Sequence, residues 1–273
     1  RTHANFYESC QARDALLKSA EQQGAEVLIL QLNTPGGSID TMTEIVQVIR
    51  TSNVPVAVYV APRGAIAGSA GAVITLAGQV AAMAPETVIG AASPVGSQGE
   101  DLGETMKEKT SEIIMAGIRT MTEQRGPEAM QLAEDMVDNA KAVSATEALD
   151  AGLIDFVAMD VDDLLAQMDG FTVTLESGEQ TLDTASAQAV DFPMSFIEQL
   201  LQIVINPNIV FLLLTIGVQA ILIELSSPGG WVAGFVGAVC LLLAAYGLGV
   251  LPVNWFGILF LIAAFVLFIL DVK

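Results

Sequence analysis

The last third of this chain decides what kind of molecule it can be. Residues 209–225, 231–251 and 255–270 are almost wholly apolar, and beyond residue 192 the only charged side chains are Glu198, Glu224, Asp271 and Lys273. A run of about 20 apolar residues is what an α-helix needs to cross a bilayer, and the first and last of these runs are at the short end of that range. Read instead as core helices, three such runs in succession would need a large soluble partner to cover them. They are therefore expected to form a transmembrane region of three helices over 209–273. Ahead of it, Phe196, Ile197, Leu200, Leu201 and Val204 fall on one helical face. That pattern reads as an interfacial helix, so residues 191–208 are assigned to a linker and that helix. Glu224 is expected near the end of its span, at the headgroups, rather than as a functional polar site in the apolar region. Pro228-Gly229-Gly230 reads as a turn between spans.

The charge lies in the other two thirds. The chain carries 31 acidic and 11 basic residues for a net charge of −20, almost all of it before residue 193. Such a surface lacks the basic footprint of a nucleic-acid-binding domain and does not favour docking on anionic lipid. His3 is the one histidine, and Cys10 and Cys240 are far apart. Neither a metal site nor a disulfide is expected. Lys273 is the one basic residue near a span, so the positive-inside rule places it in the cytoplasm. With three spans, residues 1–190 then lie outside. The start at Arg1, without methionine or an apolar leader, reads as a mature form or a fragment.

Within residues 1–190 the periodicity alternates between strand and helix. Residues 12–21 read as a helix and Val27–Leu32 as a buried strand. Ile39, Met42, Ile45, Val46 and Ile49 recur at helical spacing behind a Ser38 cap, and Val54–Val60 reads as the next strand. This is the strand–helix–strand pattern of a parallel sheet. Residues 65–78 are expected as a buried helix beginning near Ser69, and 80–83 as a short strand. Residues 93–106 read as an exposed loop, 108–124 and 127–138 as helices. Ser144–Glu147 has the spacing of a capping box, with Gly152 closing that helix and a strand over Leu153–Ala158. Residues 171–175 and 180–182 read as a hairpin turning at Ser177-Gly178.

Two short segments carry chemistry. One is Leu32-Asn33-Thr34-Pro35-Gly36-Gly37-Ser38, a strand followed by a Pro-Gly-Gly turn whose N–H groups no side chain covers. Such groups can stabilise a developing oxyanion. The other is Gly68-Ser69-Ala70-Gly71, a serine that a substrate can approach. Taken alone, Pro-Gly-Gly marks an ordinary turn and a serine among small residues packs helices. Together and in this order they point to acyl transfer by a serine nucleophile. His3 is poorly placed in the sequence to serve it, which leaves lysine, a base when burial lowers its pKa towards neutrality. Lys107 and Lys109 are the candidates, with Glu108 and Glu112 as ready salt-bridge partners if they are only surface charges. Spacing does not choose between them.

The order NTPGGSID (33–40), VPVAVYVAPRGAIAGSAG (54–71), VAAMAPETVIGAASPV (80–95), EKTSEIIMAGIRTM (108–121) and SATEALDAGLID (144–155) resembles the long form of the NfeD family. These are membrane-bound serine proteases with a ClpP-like, crotonase-type domain, and the similarity covers roughly residues 12–273. The resemblance implies an α/β crotonase/ClpP-like domain over 1–190, followed by the α-helical transmembrane region. It implies Ser69 as nucleophile and Lys109 as base, because IRTM at 118–121 aligns with the family's following helix. It implies an oxyanion hole at Gly37 with Gly36 nearby and the Ala70 N–H as second donor. No cofactor is implied. A stomatin-like (SPFH-domain) membrane protein is implied as substrate or partner, and so is a homodimer or higher homo-oligomer. The chain departs from the pattern at residues 1–9, where a first strand is usual, and at Gly64-Ala65-Ile66-Ala67, where Gly-Ala-Arg-Ala is usual. It also ends at Lys273, where a fourth span and a small β-barrel often follow; that end reads as a truncation. The alternatives are an inactive scaffold that binds a stomatin-like protein, a signal-peptide peptidase-like enzyme, and an acyl-CoA hydratase or isomerase with acidic catalytic residues.

Overall fold

A strand buried on both faces organises the N-terminal part of the molecule. In the computed structural model, which describes residues 20–96, 100–190, 196–226 and 231–250, the strand Val56–Val60 (β2) is buried at every position. Its side chains alternate between two cores, as period-two geometry requires. Val56, Val58 and Val60 enter one core, Ala57 and Tyr59 the other. The same division holds on Val80–Met83 (β4), where Ala81 and Met83 oppose Val80 and Ala82. Continuous apolar strands are what a parallel sheet covered on both faces needs. The sheet is parallel throughout, in the order β1-β2-β4-β7, with β1 at Leu28–Leu32 and β7 at Phe156–Val157.

Helices cover the first face: α1 (Ile39–Arg50), α2 (Ala70–Ala77), α3 (Glu104–Thr122) and α4 (Pro127–Asp138). Ser38 caps α1 by accepting the Thr41 N–H at 3.1 Å. The second face is covered by α6 (Val161–Met168) and a hairpin of β8 (Thr172–Leu175) and β9 (Gly178–Thr181), through Leu164, Leu165, Met168 and Val173. There Tyr59 donates its hydroxyl to the Ala158 carbonyl at 2.7 Å, and burial pushes its pKa up to about 12.

A second sheet was not foreseen. It has the order β3-β5-β6, from Ile66–Gly68, Val88–Gly90 and Ala142–Ser144, with β3 and β5 parallel and β6 antiparallel. The segment 65–78 thus divides at Ser69: the helix begins at Ala70, beside its expected start, and the unforeseen part is the strand Ile66–Gly68 ahead of it. Backbone bonds from β5 and from Thr34 hold residues 66–68 extended. Strands of three residues are too short to show a period, so β5 and β6 left no signature. The helix read over 108–124 begins earlier, at Glu104, and the strand read over 153–158 is confined to Phe156–Val157. The helix read over 12–21 and the unusual residues 1–9 fall almost wholly outside the described residues.

Residues 1–192 and 193–273 form two compact units. In the second, α7 (Phe196–Val204) precedes two helices long and apolar enough to cross a membrane, α8 (Pro207–Ser226) and α9 (Val232–Val250). Helices of this length rise about 30 Å, the hydrocarbon thickness. They approach closely at glycines: a Cβ on Gly237 would lie 2.9 Å from the Gly217 carbonyl oxygen. Glu224, near the end of α8, accepts the N–H groups of Trp231 and Gly234 at 3.0 and 3.3 Å and so caps α9. The third apolar run and Pro228-Gly229-Gly230 fall outside the described residues.

The capping box between β6 and α5 (Ala145–Asp150) forms as expected, and Gly152 follows it with φ 69°. The Glu147 carboxylate accepts the Ser144 N–H and hydroxyl at 2.8 and 2.7 Å, which holds its pKa below the usual carboxylate value. A carboxylate whose folded pKa is depressed stabilises fully above its unfolded pKa and loses that contribution as pH falls through the folded one. Wild type should therefore exceed Glu147→Gln in stability by a constant amount near neutrality. That margin should shrink on acidification below the ordinary carboxylate range. Urea midpoints measured across pH check this; a margin independent of pH would contradict it.

Candidate active site

The end of β1 and the end of β3 meet at the candidate site. Beyond Leu32 the chain runs alongside β3. Asn33 Oδ1 accepts the Ile66 N–H at 3.1 Å, the Thr34 N–H donates to the Ile66 carbonyl at 2.7 Å, and the Gly68 N–H donates to the Thr34 carbonyl at 2.9 Å. This pairing delivers Pro35-Gly36-Gly37 directly against Ser69. The approach leaves no room for side chains. A Cβ on Gly36 would sit 3.0 Å from Ser69 Cβ and 3.5 Å from its Oγ, and a Cβ on Gly68 would sit 2.7 Å from the Pro35 carbonyl oxygen.

Ser69 occupies a strained turn between β3 and α2, with φ 52° and ψ −118°. Positive φ in a residue with a Cβ is costly and persists only where the surroundings impose it. Here the Ser69 N–H donates to the Gly90 carbonyl at 2.9 Å. The hydroxyl is half-buried and makes no hydrogen bond among the described residues. Behind it α2 is buried at every position. Its N-terminus adds a partial positive charge beside the serine.

Three N–H groups were named from the sequence as oxyanion donors or their neighbours. Gly36 donates its N–H to Thr34 Oγ1 at 3.2 Å. The Gly37 N–H has no acceptor among the described residues. Ala70 is the first residue of α2, where an N–H has no partner within the helix. The two lysines stand elsewhere. Lys107 and Lys109 lie in the first two turns of α3, exposed, with no hydrogen bond or ion pair among the described residues, to Ser69 or to any other group. Neither pairs with Glu108 or Glu112; Glu112 faces Arg119 at 3.9 Å. α3 packs against α2, and residues 91–96 and 100–103 lead into it without helix or strand. The structure thus unites the Gly-Gly turn with the serine and leaves both lysines on a solvent-facing surface.

Two participants escaped the sequence reading. Thr34 bonds both ends of Gly36, and its Oγ1 also donates to the Gly36 carbonyl at 2.8 Å. Gly90, with φ 133°, supplies the acceptor for Ser69. An isolated glycine after Val88-Ile89 is the kind of signal that marks a close backbone approach in a strand.

The family comparisons divide the chain as its composition does. Residues 12–177 match the NfeD1b N-terminal domain and residues 208–273 the NfeD integral membrane domain. The chain belongs to the NfeD family. This NfeD protein, a membrane protein by its C-terminal domain, is 36% identical over 262 residues to the membrane-bound protease PH1510 of Pyrococcus horikoshii. The match covers 94% of this chain and 59% of that relative, so the chain spans less than two thirds of its length. Two solved structures of the 1510-N membrane-bound stomatin-specific protease share its mixed α/β fold. A lysine-to-alanine mutant in complex with a substrate peptide superposes with a TM-score of 0.63 at 32% identity, covering 70% of this chain and 88% of its own. A serine-to-alanine mutant gives 0.61 at 31%, covering 68% and 90%.

Gly90→Ala tests how the serine turn is held. The new Cβ would fall 2.2 Å from the Lys141 carbonyl oxygen at a φ that L residues rarely adopt. The NfeD variant should lose about 2 kcal/mol or more of stability, read as a lowered thermal midpoint. An unchanged midpoint would show that this junction relaxes freely.

Proposed function

We infer that this chain is a membrane-anchored serine endopeptidase that works through Ser69 and Lys109. The observation that carries the reading is the Gly-Gly turn held against a serine on a strained backbone, where the Ser69 hydroxyl and the N–H groups of Gly37 and Ala70 have no hydrogen-bond partner among the described residues. In the reaction, Ser69 Oγ attacks the scissile carbonyl carbon while neutral Lys109 takes its proton. The N–H groups of Gly37 and Ala70 hold the oxyanion, and Gly36 lets the turn approach the serine. The lysine returns the proton to the leaving amine, and water then releases the acyl group from Ser69. Lys109 must reach Ser69 for this. Catalytic contacts are often long in the free enzyme and tighten with substrate, and α3 already packs on α2.

The relative supports Lys109 over Lys107. The serine and lysine replaced in the two solved structures stand some forty positions apart, nearer the separation of Ser69 and Lys109 than that of Ser69 and Lys107. That relative is a stomatin-specific protease, which favours a stomatin-like membrane protein as substrate; cleavage within apolar segments and action as a homo-oligomer complete the proposal. The strongly acidic first unit favours neutral or basic peptides over acidic ones. An extended substrate would pair along a strand edge. A second reading, an inactive scaffold binding the same partner, draws on the exposed position of both lysines.

One experiment separates the two. The detergent-solubilised chain is treated with a fluorophosphonate, mapped by peptide analysis, and assayed on a peptide library. Label should fall on Ser69. Ser69→Ala and Lys109→Ala should each lose about 10⁴-fold or more in rate, and Lys107→Ala little, with thermal midpoints near wild type. No label and no cleavage would favour the scaffold, and a larger loss in Lys107→Ala would reverse the lysine assignment. Cleavage confined to charged, hydrophilic peptides would remove the apolar-segment specificity.

The proposed orientation, residues 1–190 outside the cytoplasm, rests on Lys273 and three spans. Asp101→Cys, in a chain without Cys10 and Cys240, should react with an impermeant thiol reagent on intact cells. Reaction only after lysis would invert the orientation.

A further inference from the structure

One peptide group decides whether the Gly-Gly turn can serve as proposed. The Gly36 carbonyl and the Gly37 N–H belong to the same planar trans peptide, so they point in opposite directions. Fixing one end fixes the other. Glycine on both sides leaves that plane little intrinsic preference. The Thr34 side chain supplies one: its hydroxyl donates to the Gly36 carbonyl at 2.8 Å and accepts the Gly36 N–H at 3.2 Å. The rest of Thr34 ties this hydroxyl to the serine. Its backbone pairs with Ile66 and Gly68 of β3, and its Cγ2 occupies the space beside α2, 2.7 Å from where a Cβ on Gly71 would stand.

We propose that Thr34 is a positioning residue for the oxyanion site. Its hydroxyl locks the Gly36–Gly37 peptide with the Gly37 N–H turned away from Thr34 and open to a ligand. Without the hydroxyl the peptide plane rotates and the Gly37 donor is lost for part of the time. The substrate is bound through other groups, so the loss falls on the transition state rather than on binding.

This inference rests on the protease reading, and the experiment separates their failures. Kinetics are measured on the detergent-solubilised full chain, with an apolar library peptide that wild type cleaves and Ser69→Ala as background. Thr34→Val keeps the shape and removes the hydroxyl. It should lower kcat by about 10²-fold, the loss typical of one oxyanion donor, with KM nearly unchanged. Thr34→Ser keeps the hydroxyl and should hold kcat close to wild type. Should Thr34→Val fail to fold, Gly71→Ala provides the second arm. Its added methyl meets Thr34 Cγ2 and should lower kcat, and Thr34→Ser in the same chain removes that contact and should restore it. Wild-type kcat in Thr34→Val, equal loss in Thr34→Ser, or no restoration in the double variant overturns the role of Thr34 alone. A wild type no more active than Ser69→Ala overturns the protease reading and this one with it.

Discussion

Three hydrogen bonds seat Asn33 and Thr34 along β3, and the rest of the N-terminal unit depends on them. They join the end of the four-stranded sheet to the three-stranded one, through Ile66 N–H, Ile66 carbonyl and Gly68 N–H. The bonds draw two backbones so close that Gly36, Gly68 and Gly71 have no room for a Cβ without displacement. Each glycine costs conformational entropy on folding. Three at one junction are tolerable because the packing around it is dense: Ala65, Ala67, Ala70 and Ala72 are all buried there. Small side chains are the means by which a turn and a serine come within van der Waals contact.

The same junction explains the strain at Ser69. A serine continuing β3 would point its hydroxyl off one face of the sheet, and one inside α2 would place it among positions that are buried throughout. Neither gives a half-buried hydroxyl that has no hydrogen-bond partner among the described residues. The positive φ reverses the chain in a single residue, and the bond from the Ser69 N–H to Gly90 holds the reversal. Gly90 is itself fixed by β6 and by the close Lys141 backbone. The tension at the serine is thus borne by the second sheet rather than by the helix that follows.

Much of this was legible in the sequence where a residue's own chemistry decides its conformation. Val54–Val60, Ile39–Ile49, the Ser144–Glu147 capping box and the first two apolar runs behave in the structure as their periodicity and caps require. The proximity of Pro35-Gly36-Gly37 to Ser69 followed from the resemblance, and the structure realises it. What escaped were features set by partners distant in the chain. β3 went unread because Ala65–Gly68 is as small and apolar as the helix that follows, yet Thr34 and β5 hold it extended. β5 and β6 pair residues more than fifty apart, over strands too short to carry a period. Thr34 is invisible for the same reason: nothing in Asn-Thr-Pro says that its hydroxyl will clasp Gly36. For Lys107 and Lys109 the sequence left the surface position open beside the catalytic one, since an exposed lysine and a catalytic one differ only in what lies opposite.

Glu224 shows the reverse case, where the structure gives a bland role to a residue that invites a functional one. A carboxylate within an apolar helix is costly and is by default a candidate for ion or proton handling. Here the cost is offset locally. Both oxygens are engaged by N–H groups at the start of α9, Trp231 and Gly234, where the helix dipole also favours negative charge. Gly234 lets the carboxylate come close, since a Cβ there would lie 3.1 Å from Glu224 Cγ, a tight contact. The capped end and the Gly217–Gly237 crossing hold two antiparallel helices together in a setting where apolar surface alone gives little preference for one helix over lipid. Glu224 is therefore a clasp of the helical hairpin, and the chemistry proposed for this protein is argued from the junction of Thr34, Gly36 and Ser69 instead.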